Sequence, residues 1–86
     1  MRLQIWKFPL RVSEEPFSIK MPKGAKILCA KNVGGTLCLY AVCDVEAEFE
    51  ERSFRCIGTV WETSNVLEKY IGTIVDLPFV WHFFEV

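Results

Sequence analysis

The stretch AKILCAKNVGGTLCLYAVCD, residues 25–44, sets two apolar runs on either side of Gly34-Gly35. Two adjacent glycines supply the positive φ angles that a two-residue hairpin turn demands, so the spacing predicts a β-hairpin. With that turn Val33 faces Thr36, and the register runs outward from the pair. Alternation then puts Ile27, Cys29, Cys38, Tyr40 and Val42 on one face and Leu28, Ala30, Leu37, Leu39 and Ala41 on the other. A four-residue loop over 32–35 keeps both sets and brings Cys29 opposite Cys38. Neither face is polar, as the wet side of a one-sided hairpin would be. The expectation is a central hairpin covered on both faces, by the rest of the chain or by another subunit.

On the N-terminal side, residues 2–8 read as a strand with Leu3 and Ile5 on one face and Trp6 and Phe8 on the other. Pro9 cannot donate to a ladder and marks its end. A polar turn at Ser13-Glu14-Glu15-Pro16 leads into Phe17–Met21, a clean alternation, and Met21-Pro22-Lys23-Gly24 fits a type I turn. On the C-terminal side, Asp44–Arg52 carries five carboxylates in nine residues and reads as a solvated loop or a single helical turn. It lacks the glycine and the ligand spacing of a calcium loop. Ser53–Thr59 and Tyr70–Leu77 read as strands that share Ile-Gly-Thr and pair with each other, with Gly58 and Gly72 at bulges or close approaches. Glu62–Asn65 is a polar loop. Pro78 precedes a last strand, Phe79–Glu85. Six or seven strands with little helix in one domain of 86 residues predict an all-β, mostly antiparallel fold, a small barrel or sandwich.

Composition narrows the function classes. Hydrophobic residues make up 51% and aromatics 14%, which excludes disorder and leaves a packed core or apolar surface for a partner. A homo-oligomer is therefore expected. The net charge is −1, which disfavours a nucleic-acid binder. Charge is nonetheless segregated, with seven basic residues against two acidic ones through residue 31 and three against nine after it. A basic face for an anionic ligand, or for the acidic half of a neighbouring copy, fits that pattern. The N-terminal stretch is interrupted by Lys7 and Arg11 too early for a signal peptide, and no run approaches the roughly 18 apolar residues of a membrane span. The four cysteines, Cys29, Cys38, Cys43 and Cys56, then read as reduced thiols acting as small hydrophobes.

No motif names a reaction. There is no C-x-x-C for zinc and no glycine-rich phosphate loop, so neither a metal site nor a cofactor is expected. His82, the one histidine, shares a strand face with Val80 and Phe84 and reads as a core or interface residue. Candidate ligand contacts are Trp61 (an amphipathic ring at a strand end), Tyr40 as a second stacking ring, Arg52 and Arg55 for phosphate, and His82.

Taken together, IWKFPL (5–10), MPKGAKILCAKN (21–32), GTLCLYAVCD (35–44), ERSFRCIGT (51–59) and KYIGT (69–73), with the closing aromatic strand, resemble a family of short proteins of tailed bacteriophages and prophages. The resemblance spans nearly the whole chain, but its motifs are strands and turns and carry no site residues with them. Where such proteins continue past Gly-Thr with a Gly-His-Pro-like loop, this chain has Val60-Trp61-Glu62, so no histidine site there carries over. The resemblance implies a host bacterial cytoplasm. The expectation is a phage-encoded, non-enzymatic binding protein that counters host defence by sequestering a small anionic or nucleotide ligand, or by blocking a host protein. The alternatives are a structural or accessory virion component, and a small hydrolase pairing His82 with a cysteine.

Overall fold

The computed structural model of the chain describes residues 1–13, 15–63 and 69–86. Over these it has seven strands and no helix: β1 (Leu3–Pro9), β2 (Phe17–Pro22), β3 (Lys26–Val33), β4 (Thr36–Asp44), β5 (Phe49–Gly58), β6 (Lys69–Asp76) and β7 (Phe79–Glu85). Every ladder is antiparallel, in two sheets of order β1-β4-β3 and β2-β5-β7-β6. The sheets stack with one core drawn from both, in which Leu39, Met21, Phe54 and Phe83 are fully buried. Of the two architectures expected, the open sandwich forms and the closed barrel does not. β3 and β6 approach at one corner without a ladder. There Gly72 lies against Ala30, the Asn32 amide donates to the Val75 carbonyl (3.4 Å), and β6 carries a bulge between Tyr70 and Gly72.

The central hairpin closes as its glycines require. Val33 pairs with Thr36, and Gly34 and Gly35 take φ of 60° and 91°, the doubly positive backbone of a type I′ turn. One residue breaks the expected alternation. A bulge between Ile27 and Cys29 returns Ile27 to the core face opposite Ala41, with Leu28 left exposed at the irregularity. The inner face of this sheet thus carries Ile27, Ala30, Leu37, Leu39 and Ala41 with Trp6 and Phe8. That face is the one covered by the four-stranded sheet. On the other, Leu3 and Ile5 remain 58% and 63% exposed, beside half-buried Tyr40 and Val42.

Three local readings are corrected. The turn after β2 runs Pro22–Ala25, with Ala25 N donating to Pro22 O (3.1 Å) and Gly24 at φ 79°, one residue later than the proline spacing suggested. β5 begins at Phe49, inside the acidic segment, because its edge pairs with β2 and sets Glu51 against Lys20. The two Ile-Gly-Thr segments do not pair, since β7 lies between β5 and β6. Glu14 and residues 64–68, which include parts of two predicted polar loops, lie outside the described residues.

Candidate functional site

The five expected ligand residues fall in four places. Tyr40 lies opposite Lys7 and Cys29 on the outer face of the three-stranded sheet. Arg55 and His82 lie on the outer face of the four-stranded sheet, where Arg55 pairs with Phe84 and His82 with Ile57 and Thr73. Arg52 and Trp61 border two separate clefts at opposite ends of β5 and β7. Trp81 and Glu85, one at each cleft, are four residues apart on β7, about 13 Å at strand rise, with buried Phe83 between them.

The first cleft, about 290 Å³, opens where β3 and β6 begin. Register sets Arg52, Glu85 and Lys69 on one face of their sheet, and Lys26 comes across from β3. Arg52 donates from Nε to Glu85 Oε2 (2.6 Å) and from Nη2 to Glu85 Oε1 (2.8 Å), a bidentate pair, and from Nη1 to the Ala25 carbonyl. Both side chains of the pair are about one-sixth exposed. The Arg52 hydrogen bond, reinforced by its charge and that of Lys69, holds the Glu85 carboxyl below its ordinary value despite burial, and the same bond pushes Arg52 up. With Glu85 engaged by Arg52, the two lysines give the cleft its net positive charge. Tyr70, exposed at its edge, shares a 2.6 Å hydrogen bond with Thr73.

The second cleft, about 310 Å³, is walled by Trp61, Trp81, Phe79, Pro78 and the Gly58–Thr59 backbone, with no charged side chain among the described residues along it. Phe79 stacks on Trp81 (centroids 5.2 Å apart, planes at 20°), and Trp61 meets Trp81 edge to face (5.5 Å, 72°). A tight turn delivers Trp61: its N–H donates to the Gly58 carbonyl (3.1 Å) across Thr59 and Val60. Val60 sits at φ 63°, a conformation that a β-branched residue resists. Gly58 is required here, because a Cβ on it would stand 2.6 Å from the Trp61 indole. Trp81 is 8% exposed, and its Nε1–H is buried with no acceptor among the described residues.

His82 is bound through both ring nitrogens, Nε2 to Thr59 Oγ1 (2.8 Å) and Nδ1 to Thr73 Oγ1 (2.9 Å). One set of proton positions satisfies the network: Tyr70 donates to Thr73 and Thr73 to Nδ1, while Nε2–H donates to Thr59 and Thr59 to the Val80 carbonyl. No cysteine shares its face, since neighbouring Cys56 points into the core and the other three belong to the opposite sheet. All four cysteines are free thiols, and the two-residue turn at Gly34-Gly35, in place of a four-residue loop, puts Tyr40, not Cys38, opposite Cys29. Burial raises the Cys43 and Cys56 thiols, the reverse of what a nucleophile needs.

Sequence reasoning singled out Trp61, Arg52 and the basic N-terminal half, but not Trp81, Phe79, Lys69 or Glu85. A strand face of Phe79, Trp81 and Phe83 looks uniformly apolar. What separates the cleft end from the core end is Gly58 across the ladder from Trp81, together with Pro78 beside Phe79.

The fold is a small antiparallel β-sandwich with the two clefts described above, and no helix among the described residues is long and apolar enough to cross a membrane. Over residues 1–86 the chain matches the model of a domain of unknown function, DUF7352, and it belongs to that family. No curated protein and no solved structure matches it.

Proposed function

We propose that this chain is a non-enzymatic binding domain that captures a small anionic ligand at the mouth between β3 and β6. The observation that carries the reading is the convergence of Lys26, Arg52 and Lys69 on one cleft in which the one lining carboxylate among the described residues, Glu85, is already engaged by Arg52. Arg52 retains N–H donors beyond the three it uses, and the two ammonium groups are mobile enough to close on phosphate oxygens. The likeness to short phage proteins supplies the setting: a phage-encoded protein in a bacterial cytoplasm, sequestering a nucleotide-sized signal or occupying a host protein. The exposed Leu3 and Ile5 face supports self-association, and it equally suits packing as an accessory virion subunit.

Thermal denaturation with inorganic pyrophosphate at low ionic strength tests the anion reading. Wild type should gain Tm by mass action. The double variant Lys26→Gln/Lys69→Gln should melt like wild type without ligand and bind at least about tenfold more weakly. An unshifted wild-type Tm, or equal affinity in the variant, defeats the reading. Native mass spectrometry of the protein from bacterial cytoplasm then reports subunit number and retained ligand mass together.

A further inference from the structure

The aromatic cleft lies apart from the basic one and carries a different kind of evidence. A buried donor without an acceptor is uncommon, because its desolvation is not recovered on folding. Trp81 Nε1–H is such a donor among the described residues, and Trp81 also forms a wall of the cleft. Solvent does not reach the nitrogen, so a ligand meets it only after a neighbouring side chain moves. Trp61 and Phe79 are the exposed rings packed on Trp81, and of the two Trp61 sits on a strained turn outside the ladder. Its indole is 40% exposed, rests on the bare α-carbon of Gly58, and touches Trp81 edge to face. The turn that holds it stores backbone strain at Val60, whose side chain is 96% exposed and so has no packing to offset that strain.

We propose that Trp61 gates Trp81, and that the cleft behind it takes a small, uncharged, flat heteroaromatic ligand whose in-plane acceptor receives the Trp81 Nε1–H. Each part of that description has its source. The volume, about 310 Å³, is at the small end of ligand sites, which suits one or two fused rings. The stacked Phe79 and Trp81 offer π-faces and edges to a flat ring. No charged side chain among the described residues lines the walls, so a charged ligand would be desolvated there without compensation from them. The lone indole donor selects a ring with an acceptor over one of the same shape without it.

A matched pair of probes isolates the hydrogen bond: 1-methylbenzimidazole, with an acceptor ring nitrogen, and 1-methylindole, with a C–H in its place. Both are titrated at slightly alkaline pH, where neither is charged, into protein labelled with nitrogen-15 in its indoles. The benzimidazole should bind at least about tenfold tighter and shift the Trp81 Nε1–H proton downfield. Gly58→Ala displaces Trp61 from its seat, removes the cost of opening, and should tighten both probes. Trp81→Phe should erase the preference between them. If that variant does not fold, the Gly58→Ala comparison decides alone. Equal affinities, no binding of either probe, or a response confined to Trp6 or Trp61 overturns the proposal. So does a Trp81 shift that follows protein concentration without ligand, which would make a second copy the occupant.

Discussion

Arg52 and Trp81 stand on neighbouring strands of one sheet and face the same interior, yet the chain treats their donors differently. Arg52 spends its fork on both oxygens of Glu85 and on the Ala25 carbonyl. Trp81 Nε1 has no acceptor among the described residues, and the exposed ring of Trp61 packs edge to face on the same indole. The difference is one of chemistry. A half-buried guanidinium without a partner would cost several kcal/mol, so a resident carboxylate is needed before the sheet can close. An indole N–H costs about 1–3 kcal/mol, an amount the surrounding aromatic packing can offset. The basic end is therefore pre-satisfied, with surplus charge left for the proposed anion, whereas the aromatic end holds a donor in reserve.

The largest expected effect comes from unbalancing the basic end. Glu85→Ala strands Arg52 and should lower stability by about 3 kcal/mol in urea denaturation, while raising pyrophosphate affinity because the fork is released. A loss under about 1 kcal/mol would show that the pair is held no better than an exposed one.

The hairpin turn, remote from both clefts, sets a reference of intermediate size. Gly35→Val should cost more than about 1 kcal/mol, because a β-branched residue resists the backbone at φ 91°. Nothing lies within 4 Å of a Cβ there, so the cost is conformational alone, and a change near zero removes the turn's role.

Acidification should act on the basic end through the same pair, with a smaller effect. The Glu85 carboxyl titrates below its ordinary 4.5 in the folded chain, so its contribution is complete above that value and lost as pH falls through the folded value. Glu85→Gln should flatten this part of the stability profile measured by urea at a series of pH values. An unchanged acid limb would assign the sensitivity to other carboxylates.

Much of this comparison was legible in residue order. Period-two alternation located β1, β2, β6 and β7, and Gly34-Gly35 fixed the central turn. The β3 bulge was hidden because Ile27, Leu28 and Cys29 are all apolar, and an inserted residue leaves no polar mark. The start of β5 was hidden because Glu50 and Glu51 look solvated until β2 supplies Lys20 and the turn after it supplies the Gly24 N–H, which donates to Glu50 Oε2 (3.1 Å). Arg52 and Trp61 stood out as types. Their places at opposite ends follow from β5 itself, whereas the partners they meet, Glu85 and Lys69 at one end and Phe79 and Trp81 at the other, follow from β7 running between β5 and β6, which no local pattern encodes.

Chemical-shift mapping with pyrophosphate and 1-methylbenzimidazole, added singly and together, tests the separation of the two ends most directly. Independent sites predict two disjoint sets of shifted amides, one around Lys26, Arg52, Lys69 and Tyr70 and the other around Gly58, Trp61, Phe79 and Trp81, each unchanged by the other ligand. Overlapping sets, competition between the probes, or silence at either end would contradict it.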